Sequence, residues 1–241
     1  NVDDVGYASA AAAGLTGGTI TPSGASVGTK QGFSIIKYDG DGNDATIPHG
    51  LLQTPTFIIK KFMGGTSSWD AWTSSLSSNR RLTLNTTDGE SSTTSYQSVN
   101  ATTFDVHAGN NDDGVSMIAY LWHDVPGLQK FGKYTGNGDA DGPVIELGFR
   151  PAVVITKRTD TTENWEIRDS TRNPHNRTNL TLFPHSHTTE DTGSVDFDLL
   201  SNGFKLRNTN GSTNADGGTY IYCAWAEQPA SNLFGGQSNA R

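Results

Sequence analysis

The feature that most constrains this chain is a long internal repeat. Lys37-Tyr-Asp-Gly-Asp-Gly42 matches Lys133-Tyr-Thr-Gly-Asn-Gly138 at an offset of 96. Pro55-Thr-Phe-Ile-Ile-Lys-Lys61 matches Pro151-Ala-Val-Val-Ile-Thr-Lys157, and Trp69 matches Trp165, at the same offset. Leu82-Thr-Leu84 then falls on Leu180-Thr-Leu182, and Phe104 on Phe204. Ile118-Ala-Tyr-Leu-Trp-His-Asp124 falls on Ile221-Tyr-Cys-Ala-Trp-Ala-Glu227 at an offset of 103, with Pro126 on Pro229. The offset grows only across polar, turn-rich stretches, where duplicated domains absorb insertions. The order predicts a module at 32–127, a second at 128–230, an extended arm or linker at 1–31 and a tail at 231–241.

Each copy reads as short strands. Phe33-Ser-Ile-Ile-Lys-Tyr38 ends at an Asp/Gly turn, and Phe57-Ile-Ile-Lys60 and Val153-Val-Ile-Thr156 are apolar runs too short for helices. Pro55 and Pro151 stand just before them, where a missing N–H costs little. Leu82 and Leu84, Leu180 and Leu182, Phe104 and Val106, and Phe204 and Leu206 alternate with polar residues, the period of a strand with one buried face. The 28 glycines and many Ser, Thr and Asn residues suit the turns between them. These patterns predict an all-β chain of two tandem antiparallel β-sandwiches, jelly-roll-like, with seven or eight strands each. Residues 1–31 carry no core pattern, and an ordered segment of that kind is expected to lie on its own modules or on a neighbouring subunit.

The formal charge of −8, with no basic cluster longer than a pair, argues against nucleic-acid binding. No apolar run approaches the ~20 residues of a membrane-spanning helix. One cysteine, Cys223, leaves no intrachain disulfide and reads as a small buried hydrophobe. Asp39-Gly-Asp-Gly-Asn-Asp44 suggests a calcium loop with ligands Asp39, Asp41 and Asn43. Asp44 and Gly50 stand where an EF-hand needs Gly and Glu, so a tight Asx/Gly turn without metal competes with that reading. His185 and His187, with His175 nearby, raise zinc but lack a Cys or carboxylate at fixed spacing. Asp105, Asp124, Glu166 and Glu227 are carboxylates without an order that marks glycoside hydrolysis, and the chain is read as non-enzymatic. Trp69, Trp165, Trp122 and Trp225 repeat and are expected in core or inter-sheet packing. Trp72 has no counterpart, since Arg168 stands there, and is the candidate for a surface ligand contact by sugar stacking, with simple partial burial as the favoured competing reading.

Further blocks resemble modules in structural proteins of marine tailed bacteriophages, including cyanophage-like viruses. They are Gly32-Phe-Ser-Ile-Ile-Lys-Tyr38, Ile47-Pro-His-Gly50, Leu84-Asn-Thr-Thr87, Tyr134-Thr-Gly-Asn-Gly138, Ala140-Asp-Gly-Pro143, Gly148-Phe-Arg-Pro-Ala152, Lys157-Arg-Thr-Asp160, Leu200-Ser-Asn-Gly-Phe204 and Gly217-Gly-Thr-Tyr-Ile-Tyr222. Gly24-Ala-Ser-Val-Gly-Thr-Lys30 resembles the linker between such modules. The resemblance implies a virion component with an exposed binding or scaffolding role, for which the leading reading is part of a tail fibre or similar appendage that contacts host-surface glycans. It implies self-association, a trimer among the closed rings a fibre would use, and contacts to other virion proteins. A capsid decoration or cement protein and a free carbohydrate-binding module are the alternatives. No catalytic residue is carried over.

Overall fold

The computed structural model describes residues 1–193 and 196–228. The chain is all-β and divides into two compact units. Unit 1 comprises Asn1–Thr83 and Ser91–His123; unit 2 comprises Leu84–Glu90 and Asp124–Arg241. The expected tail at 231–241, with residues 229 and 230, lies outside the described residues.

The strands of unit 1 are β1 (Gly24–Gly28), β2 (Phe33–Asp39), β3 (Ala45–Pro48), β4 (Phe57–Phe62), β5 (Trp69–Thr73), β6 (Arg80–Thr83), β7 (Ser91–Ser92), β8 (Thr103–Val106) and β9 (Ser116–Trp122). One antiparallel sheet runs β1-β2-β9-β4-β5-β6-β7, and β3 pairs with β8 in a second. Alternation places the core between them. β9 buries Met117, Ala119 and Leu121, and the register sets Tyr38, Ile36 and Ser34 opposite them on β2. From the other layer come Ala45, Ile47, Phe104 and Val106.

Unit 2 has β10 (Gln129–Thr135), β11 (Val144–Glu146), β12 (Pro151–Arg158), β13 (Trp165–Asp169), β14 (Phe197–Leu200), β15 (Gly203–Leu206), the short helix α1 (Gly211–Asn214) and β16 (Thr219–Ala226). Its sheets run β10-β16-β12-β13 and β11-β15-β14. The order β10-β16-β12-β13 has the pattern of β2-β9-β4-β5 in unit 1. Its core sets Tyr134, Val154, Tyr220, Tyr222 and Ala224 against Ile145, Phe197, Leu199, Phe204 and Leu206.

Three elements differ from expectation. Residues 1–31 form part of unit 1 rather than an arm or linker: Leu15, Ile20 and Val27 are buried in its core, and β1 is a strand of its large sheet. Ile20 donates its N–H to Thr46 O, and a Cβ on Gly18 would stand 2.3 Å from the same carbonyl oxygen. Single apolar residues spaced among Gly, Ala and Thr bury well but leave no period to read. Leu84–Glu90, inside the first copy by sequence, belongs to unit 2, where Glu90 N bonds Thr159 O and Glu163 N bonds Thr87 O. Leu180-Thr-Leu182 forms isolated bridges to Asp191 and Ile167 instead of a strand.

Candidate functional site

The polar turn after the first repeated strand is a structural clamp in both units. In unit 1, Asp41 Oδ1 accepts from Asn43 N at 3.0 Å and from Asn111 Nδ2 at 2.8 Å, and Asn111 Nδ2 also donates to Asn43 O at 2.8 Å. Asp39 Oδ1 accepts from Ser116 Oγ at 2.5 Å. In unit 2, Asn214 Nδ2 lies 3.1 Å from Asn137 Oδ1, 2.8 Å from Asp139 O and 2.6 Å from Asn208 O, and Asn214 Oδ1 accepts from Asn137 N at 3.0 Å. Both asparagines are fully buried. Gly42 N donates to Asn111 O and Gly138 N to Asn214 O. A Cβ on Gly40 would stand 2.3 Å from Asp112 O, and one on Gly136 would stand 2.3 Å from Ala215 O. Of the three proposed calcium ligands, Asp39 thus turns one carboxylate oxygen to a hydroxyl donor and Asp41 turns one to amide donors, while Asn43 takes part through its backbone N–H and carbonyl. Among the described residues no cluster of three or more His, Cys, Asp or Glu side chains is arranged to hold a metal.

These asparagines were missed in the sequence. Their signal is the pair Asn111-Asp-Asp-Gly114 and Asn214-Ala-Asp-Gly217, at the same offset of 103 as the final strands.

Of the four repeated tryptophans expected in the core or between sheets, one is buried and three are not. Trp165 is fully buried, whereas Trp69, Trp122 and Trp225 are half-buried, and none of the four belongs to either core cluster. Trp122 lies opposite Phe33 and Phe57 in register, with ring centroids 4.8 and 5.4 Å away. This row lies on the sheet face away from the core, because Trp122 alternates with inward Leu121 and Ala119. Trp225 meets the edge of Phe131 at 5.6 Å. Trp72, the ligand candidate, is half-buried against the unit 1 core with its ring stacked on Tyr96 at 5.9 Å.

The carboxylate candidates bond backbone N–H groups or a neighbouring arginine. Asp124 Oδ1 accepts from Phe131 N at 3.0 Å, and Glu227 pairs with Arg150 at 3.0 Å. Asp105 accepts from the N–H groups of Gln97 and Ser98. His175 and His187 are exposed, while His185 is half-buried beside Phe183, with its pKa lowered by burial.

The charged residues the core does bury form two different arrangements. In unit 1, Lys60 on β4, Asp70 on β5 and Arg81 on β6 share one end of the sandwich. Lys60 and Asp70 are only 4% and 6% exposed. Lys60 Nζ donates to Asn110 O at 2.9 Å and lies 3.8 Å from Asp70, which also pairs with Arg81. Burial lowers the Lys60 pKa, and the Asp70 carboxylate opposes that shift. The group lines a cleft of about 300 Å³ together with Phe62, Asp112 and Ser68. In unit 2, Thr156 and Glu166 take the places of Lys60 and Asp70, and Glu166 pairs with Arg168 at 2.7 Å. Arg168 lies 4.1 Å over the Phe197 ring. Lys157, also buried, donates to Thr87 O and Arg158 O, and burial lowers its pKa to about 8.

Fold and side chains together define a class: an all-β protein whose polar turns are clamped by buried asparagines and whose buried charges mostly bond backbone carbonyls or each other. The family model of a domain of unknown function, DUF7483, matches residues 6–229, and the chain belongs to that family. No curated protein and no solved structure matches the chain.

Proposed function

We propose that the chain is a structural component of a tailed-bacteriophage virion, part of a tail fibre or similar appendage, and that it contacts host-surface glycans. The resemblance of blocks along both copies to phage structural modules points to the particle. The observation that carries the structural role is the asparagine clamp, built twice with two matching partners in each copy. A scaffold working outside a cell must keep its shape, and with one cysteine this chain has no intrachain disulfide to help. The clamps tie the turn after β2 to the loop before β9, and the turn after β10 to the loop before β16, through fully buried amides. Weak glycan sites repeated on a closed oligomer would bind a surface by avidity.

The test is immunogold electron microscopy and peptide mass spectrometry of purified particles that encode the chain, with light scattering of the isolated protein. Gold on tail appendages and a closed oligomer, such as a trimer, are expected. Gold over the shell would replace this reading with capsid decoration, and absence from the particle would end the virion reading.

A further inference from the structure

We propose that the cleft of unit 1 beside the 3-10 turn Ala108–Asn110 binds a single neutral sugar ring. This is where the glycan contact proposed above would be made, and the assignment rests on that reading.

The two units differ at this place. In unit 2 the corresponding end of the sandwich is plugged. Arg158 donates to Gly211 O at 3.1 Å and lies 5.8 Å over the Tyr220 ring. Tyr220 OH donates to Gly211 O at 2.7 Å and accepts from Ala215 N at 2.8 Å. The repeat places Phe62 at the position of Arg158, Met117 at that of Tyr220 and Asp112 at that of Ala215. Loss of the guanidinium and the phenol opens the space, and the exchange of Ala215 for Asp112 adds a carboxylate at its rim. The duplicated clamp keeps the amide contacts its two copies share, Asn111 with Asp41 and Asn43 and Asn214 with Asn137 and Asp139, while this end changes its chemistry.

The lining selects a ligand class. Lys60 and Arg81 are matched by Asp70 and Asp112, so the formal charge of these groups is zero. An anion would meet two carboxylates and a cation two basic groups, whereas hydroxyls accept from the basic groups and donate to the carboxylates. Phe62 adds an apolar ring for the C–H face of a sugar. Lys60 and Asp70 are held by burial, so little ordering is left to binding. The Arg81 Nε donor is buried without a hydrogen-bond partner. The volume of about 300 Å³ stands at the small end of ligand sites, which suits one ring rather than a chain of rings.

The experiment is saturation-transfer NMR of the full chain with free glucose, galactose, mannose and N-acetylglucosamine, one at a time, repeated for Asp112→Ala and Met117→Tyr. Asp112 is exposed, so its truncation leaves the core intact; Met117→Tyr imitates the plug of unit 2. At least one sugar is expected to bind saturably, about tenfold more weakly in Asp112→Ala and not at all in Met117→Tyr with an unchanged melting temperature. If Met117→Tyr does not fold, Asp112→Ala and Phe62→Ala decide. No binding of any of the four sugars, equal affinity in the variants, or displacement of the sugar by inorganic phosphate overturns the site. Sugar binding by a protein absent from particles leaves the site standing and removes the virion reading; labelled particles without sugar binding do the reverse.

Discussion

The two clamps carry unequal loads, and that inequality is measurable. Asn214 makes four polar contacts, but an amide nitrogen has two hydrogens, so its three Nδ2 contacts count as about two bonds beside the one accepted by Oδ1. Asn111 makes two bonds through Nδ2, and its Oδ1 is buried without a partner. At roughly 1 kcal/mol net for each bond, plus the cost of stranding a buried carbonyl, Asn214→Ala should destabilise unit 2 by about 3–4 kcal/mol. Asn111→Ala should cost unit 1 only about 1–2 kcal/mol, because it also removes an acceptor that nothing satisfies. Urea melts resolve the totals. Hydrogen exchange at Gly42 N and Gly138 N, which donate to Asn111 O and Asn214 O, assigns the loss to each unit. Equal costs, a larger cost for Asn111→Ala, or values under about 0.5 kcal/mol for both would refute the reasoning.

Three further outcomes follow from single residues. His49 is fully buried, accepts from Leu51 N through Nδ1 and donates through Nε2 to Asn100 O at 3.1 Å, and burial lowers its pKa to about 4. An unfolded histidine takes up its proton near pH 6.5, so this contribution is present above that pH and is lost as pH falls toward 4. It amounts to about 3 kcal/mol and is read as the difference between wild type and His49→Asn in melting temperature against pH. Gly136→Ala drives a Cβ onto Ala215 O and should cost at least about 1–3 kcal/mol in a thermal melt, whereas Gly17→Ala meets nothing within 4 Å and should be neutral. Burial pushes the Cys223 thiol well above its ordinary range, so the native protein should be inert to a thiol-reactive dye and should label in urea; labelling of the native fold would refute the assigned burial.

What could be read in advance was whatever leaves a period or a repeat. Ile36 and Tyr38, or Phe104 and Val106, announce strands because every second residue is apolar and buried. Leu15 and Ile20 announce nothing, since a lone apolar residue in a coil has no neighbour to set a phase. The repeated tryptophans were assigned to the core because they repeat, yet repetition preserves both faces of a sheet. Parity with Leu121 and Ala119 was the better guide to Trp122, and it was present in the sequence. The cleft was not readable in this way, because Lys60, Asp70, Arg81 and Asp112 come from three strands and a loop that only the fold brings together. Its trace was nevertheless in the repeat, as Phe62 against Arg158 and Met117 against Tyr220. Where the copies agree, as in Gly40 with Gly136 and Asn111 with Asn214, the shared residue serves the shared backbone. Some disagreements are exchanges of size within the packing, as where Ile36 faces Ala119 in unit 1 and Gly132 faces Tyr222 in unit 2. Disagreements that change charge, as Lys60, Phe62 and Asp112 against Thr156, Arg158 and Ala215, are the first places to look for binding in a duplicated fold, and these three lie together in unit 1.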